Sequence, residues 1–143
     1  MSAALSRIES LKWNGSPVVA AKVPINKVHM LLPNFSRQPF VHDGNANENL
    51  ETIVREPIGE DRRAVPVAVV SKRYALIQHR ELVVQVVDAL TGLDIEIDAE
   101  AEADVLLSEY SERFQCSVLF KHLSVDPGDG HPISIRLFLQ NSV

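Results

Sequence analysis

The sequence predicts an α+β fold, a mostly antiparallel β-sheet with one principal amphipathic helix, over about residues 80–90, packed on it. Three observations predict this class. Most apolar residues fall in short Val-, Ile- and Leu-rich runs bounded by Pro, Gly, Asn and Asp, the pattern of strands and turns. One segment, Glu81 to Leu90 (ELVVQVVDAL), instead spaces its apolar residues by three and four, as a helix face requires. From Val105 onward, apolar and polar residues alternate between tight turns, as in a meander with one covered face.

At 143 residues and 15.9 kDa the chain suits one domain, 1–143, large enough to bury a core. Apolar residues make up 45% and charged residues 23%, and mean hydropathy is near zero, so neither a disordered chain nor a membrane protein is expected. No apolar run approaches the roughly 20 residues of a spanning helix. The start, MSAALSR, lacks a basic region followed by a long apolar core, so no secretory signal is read. A single cysteine, Cys116, excludes an internal disulfide and a zinc knuckle. A cytoplasmic location follows as the expectation.

Along the chain, Pro17 to Pro24 (PVVAAKVP) reads as a strand closed by prolines at an edge, and Lys27 to Leu32 (KVHMLL) as a second strand. Residues 33–64 carry turn chemistry throughout, with a short helix around Glu48 to Arg55, and read as a long irregular connection. Val65 to Val70 reads as a strand, Ser71-Lys72-Arg73 as a turn, and Tyr74 to Ile77 as a short extended piece. The helix places Leu82, Val83, Val86, Val87 and Leu90 on one face and ends near Gly92, a suitable C′ residue.

From Leu93 the period changes to two. Leu93, Ile95, Ile97, Ala99, Ala101, Ala103 and Val105 alternate with six acids, which predicts a strand over 93–97. Residues 99–107 stay open between strand and a helix capped by Asp98, because Ala and Glu are strong helix formers. Val105 to Tyr110, Phe114 to Phe120 and Ile133 to Gln140 read as strands, the last two joined through the Asp126-Pro127-Gly128-Asp129-Gly130 turn. Ile133, Ile135, Leu137 and Leu139 share one face of a strand that looks buried.

Charge is unevenly placed. Residues 1–93 hold eleven Lys/Arg against nine Asp/Glu, whereas residues 94–104 hold six acids and no base. The net charge of -5 therefore belongs to one segment, and the acidic pI says little about the rest of the surface.

The segment Val67 to Leu90 (VAVVSKRYALIQHRELVVQVVDAL) and the later SERFQCSVLF…DPGDG…IRLFLQNS, Ser111 to Ser142, resemble the phage- and plasmid-borne proteins grouped as domain of unknown function 932. The resemblance covers about residues 65–143. It carries over Ser71, Tyr74, Gln78, Asn141 and Ser142 at matching positions, and it implies a mobile genetic element as origin rather than a particular chemistry. That family continues beyond Asn-Ser into further segments, so the chain is expected to be the front part of a longer unit.

Two charged constellations stand out. Arg62, Arg63, Lys72, Arg73 and Arg80, with Tyr74 among them, offer phosphate contacts and a stacking ring, the chemistry of nucleic-acid binding. Asp94, Glu96, Asp98, Glu100, Glu102 and Asp104 would line one face of a strand and suit either a basic partner or a solvated edge. A row along one strand does not converge on a cation, so no metal is expected. Histidines 29, 42, 79, 122 and 131 show no helical metal spacing, Ser71 lacks a nucleophile elbow, and Cys116 reads as packing. No phosphate loop or dinucleotide fingerprint occurs, and no cofactor is expected.

The sequence thus favours a non-enzymatic accessory protein that binds DNA or a DNA-processing partner and does not associate with membranes. The alternative is a protein-interaction or homo-oligomerising module working through the acidic face and an exposed strand edge.

Overall fold

A computed structural model describes residues 6–13, 16–92 and 101–143, with side chains described from Val19 onward except at 121–123. The chain runs β1 (Ser6–Trp13), β2 (Ser16–Pro24), a 3-10 helix (Ile25–Leu31), β3 (Phe35–His42), β4 (Asn45–Arg55), β5 (Val65–Ser71), α1 (His79–Gly92), β6 (Glu102–Ser108), β7 (Arg113–Val125) and β8 (Ile133–Ser142). Strands β1-β2-β6-β7-β8 form one antiparallel sheet and β3-β4-β5 a second. This is the α+β arrangement that the patterning predicts.

The period-two pattern builds the core. Along β6, Ala103, Val105 and Leu107 turn inward while Glu102 and Asp104 turn to solvent. Register carries this row across the sheet: Val105 lies between Ala21 and Cys116, and Cys116 lies beside Leu139. Phe114, Val118 and Phe120 complete the β7 contribution, and the 3-10 helix and α1 add Ile25, Val28, Leu31 and Val83. Four valines cost α1 roughly 2 kcal/mol of intrinsic propensity. Burying Val83 fully and Val87 and Leu90 in part against the core offsets that, at about 1.5–3 kcal/mol per fully buried side chain.

Several expectations are corrected. Lys27 to Leu32 is not a strand: Ile25, Val28 and Leu31 recur every third residue and are buried, while His29 and Met30 are exposed, so the three-fold period of a 3-10 helix prevails. Residues 33–64 are irregular only at 33–34 and 56–64, and Glu48 to Arg55 is not helical. Between them lies the β3–β4 hairpin, turned at Asp43-Gly44, where both residues have positive φ (52° and 77°), the geometry that favours Asp-Gly in a two-residue hairpin turn. Tyr74 to Ile77 joins no sheet. Gly92 is the last residue of α1 rather than the residue after it. The open question over 99–107 resolves to a strand from Glu102, whereas the strand expected at 93–97 lies outside the described residues. Finally, β8 is not buried: Ile133, Ile135 and Phe138 are 60%, 50% and 52% exposed.

Candidate functional site

The predicted basic set is not assembled into one surface. Arg62 and Arg63 precede β5 and Lys72 and Arg73 follow it, and seven strand residues at about 3.3 Å each hold the two pairs roughly 20 Å apart. Arg63 is committed to Asp61, whose carboxylate accepts from its Nε (3.0 Å), Nη2 (3.2 Å) and backbone N–H (3.1 Å). The same carboxylate accepts from Nη2 of Arg55 at 2.7 Å, and Arg55 is buried. Hydrogen bonds from Arg63 and Arg55 hold the Asp61 carboxyl well below the usual carboxylate range, against a smaller opposing effect of burial. Arg80 also turns inward, donating from Nη2 to the Leu32 carbonyl at 2.7 Å. Tyr74 is half-buried, and its carbonyl accepts from Arg37. Arg62, Lys72 and Arg73 are exposed.

On the acidic face, Glu102 and Asp104 flank Lys22 at 3.9 and 3.7 Å, all three more than half exposed, which makes these weak surface pairs. Asp94, Glu96, Asp98 and Glu100 lie outside the described residues.

What the fold does bring together is a polar node at the start of α1. Gln78 lays its carboxamide along β3, accepting from the Phe35 N–H at 2.9 Å and donating to the Phe35 carbonyl at 2.8 Å. It fills that stretch of edge as a neighbouring strand would. The next residue, His79, is fully buried between the rings of Phe35 and Phe114. Asn141 of β8 donates to its Nδ1 at 3.0 Å, which places the ring proton on Nε2, where it is donated to the Ser111 carbonyl at 2.7 Å. Ser111 holds a left-handed backbone (φ 62°), and this tight β6–β7 connection aims its carbonyl at the imidazole. Burial pushes the His79 pKa down, opposed by the Ser111 carbonyl and the charge of Glu112.

The remaining unusual feature is the β8 edge. Its pairing with β7 keeps one register from Arg113↔Ser142 to Phe120↔Ile135 and shifts only beyond, before Val125↔Ile133, and it contains no proline and one charge, Arg136. The other sheet edges are each disturbed: β1 by a register shift between Ile8 and Lys12, β3 by Pro39 and a shift beside it, β5 by Pro66. Pairing of the Val143 N–H with the Glu112 carbonyl sets the alternation along β8. Leu137, Leu139 and Asn141 turn their backbone groups to β7, and Ser134, Arg136, Phe138 and Gln140 turn theirs to the open edge.

No family model, curated protein or solved structure matches the chain.

Among the described residues no three His, Cys, Asp or Glu side chains group so as to hold a metal ion, and no helix is long and apolar enough to cross a membrane. Cys116 is buried in the core, and burial, with the charge of Asp104 adding to it, pushes its thiol up to about 11, so the nucleophilic thiolate is suppressed. His42 and Asp43 approach to 3.4 Å at the exposed hairpin tip, far more open than a catalytic pair needs to be. Gln78 and Asn141, singled out by family resemblance alone, are the side chains that fasten α1 to both sheets. Sequence reading gave His79 no part in such a node, since its partners lie 32 and 62 residues away.

Proposed function

We propose that this chain is a non-enzymatic protein-interaction module that accepts an extended segment of a partner protein along the β8 edge. The observation that carries the reading is the contrast among the four edges of the described sheets: three carry a proline or a register shift within their paired length, whereas β8 pairs with β7 in one register from Ile135 to Ser142, shifts only beyond it towards Ile133, and is apolar on its core-side face. Main-chain groups of an added strand would pair with Arg136, Phe138 and Gln140, and alternate apolar side chains would cover Ile135, Leu137 and Leu139. Arg136 favours an aromatic or acidic residue opposite it.

Titration with a ten-residue synthetic peptide of alternating Val and Thr, followed by amide hydrogen exchange, tests the reading. Slowed exchange at Arg136, Phe138 and Gln140 supports it. Unchanged exchange at all three amides, with the peptide in large excess, contradicts it. A second reading, phosphate contact within a mobile-element accessory protein, is favoured by the exposed Lys72-Arg73 pair beside Tyr74.

A further inference from the structure

We infer that the occupant of the β8 edge is β8 of a second copy of this chain, paired antiparallel about a two-fold axis at Leu137. The inference rests on the strand-accepting reading above and names its partner.

Backbone geometry limits the choices. Only Ser134, Arg136, Phe138 and Gln140 point their N–H and C=O groups outward, so these residues must face one another across a self-pairing, and the two-fold must pass through a β8 residue. An axis at Arg136 sets two guanidinium groups opposite each other, which is repulsive. An axis at Phe138 leaves only Leu137 against Leu139 as apolar contacts on the core-side face, because it sets Ile135 against Asn141 of the second copy. An axis at Leu137 gives Leu137 opposite Leu137, Ile135 opposite Leu139, Arg136 opposite Phe138 and Ser134 opposite Gln140, with no like charges paired and an unbroken apolar row.

The exposed apolar residues fit the same axis. Ile133 and Ile135 are uncovered at one end of the core-side face. At the other end Ile77, 53% exposed, has its carbonyl bonded to Asn141. The two-fold brings Ile133 of each copy opposite Asn141 of the other, so the uncovered ends meet. On the outer face Arg136 is tied to Ser117 Oγ at 2.7 Å, which holds the guanidinium over its own sheet and leaves the open edge unobstructed by it.

The test combines the mass of the full chain in solution with cysteine cross-linking. Opposed residues at the axis form a pair with Cα atoms about 4.5 Å apart, within disulfide reach. The expected results are a mass that rises from 15.9 kDa to twice that with concentration and a disulfide-linked dimer of Leu137→Cys under mild oxidation. Arg136→Cys and Phe138→Cys should each fail to link alone and should link to one another when mixed. Buried Cys116 does not compete. Phe138→Pro, which deletes an outward N–H and no backbone bond to β7, should restore the monomer even if a cysteine variant fails to fold. A monomer at every concentration, a dimer unaffected by Phe138→Pro, or a folded Leu137→Cys dimer that never links overturns the inference. Peptide protection of β8 in a strict monomer would leave the strand-accepting reading standing while this one falls.

Discussion

Asn141 donates one amide hydrogen to Nδ1 of His79 at 3.0 Å and the other to the Ile77 carbonyl at 2.9 Å. Both hydrogens of one side chain are thereby used to fasten β8 to the start of α1. The strand that offers an open edge on one side is held on the other by β7 and at its C-terminal end by this amide. Its edge is presented by a rigid element rather than a loose tail.

Asn141→Leu should cost about 1–3 kcal/mol, because it removes two hydrogen bonds and leaves the Ile77 carbonyl and His79 Nδ1 without donors. Urea unfolding measures this. An unchanged midpoint would show that the node adds nothing to stability.

Stability should fall as pH drops below about 6.5. The folded state disfavours the His79 imidazolium, chiefly by desolvation, so its folded pKa lies below the unfolded value of 6.5. Below 6.5 the unfolded chain binds the extra proton first, and the stabilisation, complete above 6.5, is lost towards the lower folded pKa. Urea midpoints between pH 8 and pH 5 read the effect, and His79→Gln should flatten the slope. Asp61 has the same sign in a separate window: its folded pKa is lowered, so its contribution is present above 3.8 and disappears only in stronger acid.

Gln78→Glu keeps an acceptor for the Phe35 N–H but sets a carboxylate against the Phe35 carbonyl. We expect it to destabilise the fold by about 1–3 kcal/mol and to speed exchange of the Phe35 amide. Equal stability in Gln78→Glu and the parent chain would mean that the amide is not the clamp described.

If the chain binds DNA, the logarithm of affinity against that of salt should fall with a slope no steeper than about -3, since Arg62, Lys72 and Arg73 are exposed while Arg63, though exposed, is paired with Asp61 and Arg80 bonds the Leu32 carbonyl. Arg63→Ala should lower the stability of the β4–β5 connection through Asp61 and Arg55 and leave that slope alone. A steep slope that Arg63→Ala and Arg80→Ala each reduce would show that these side chains leave Asp61 and the Leu32 carbonyl to meet phosphate.

Much of the main sheet was legible because its strands have one buried face: Ala103, Val105 and Leu107 alternate with exposed residues, and periodicity reports that directly. The β3–β4 hairpin was not, since Asn45 to Asn49 are exposed on both faces and carry no alternation for burial to impose. The triplet Ile25, Val28 and Leu31 did carry the 3-10 period, but three residues in a short apolar run fit a strand as readily. Charge misled for Arg80, because whether an arginine meets solvent or a buried carbonyl depends on distant residues such as Leu32. The His79 node was invisible for the same reason. The β8 sequence, apolar on one face, looked like an interior strand, and only its place at the end of the sheet order shows that no strand among the described residues pairs beyond it.

Residue-resolved amide hydrogen exchange of β8 in dilute solution tests the central claim most directly. The account predicts a two-residue alternation, with Leu137 and Leu139 protected by β7 and Arg136, Phe138 and Gln140 exchanging fast at the open edge. Uniform protection along β8 in the dilute monomer would contradict it, because the edge would then already be covered.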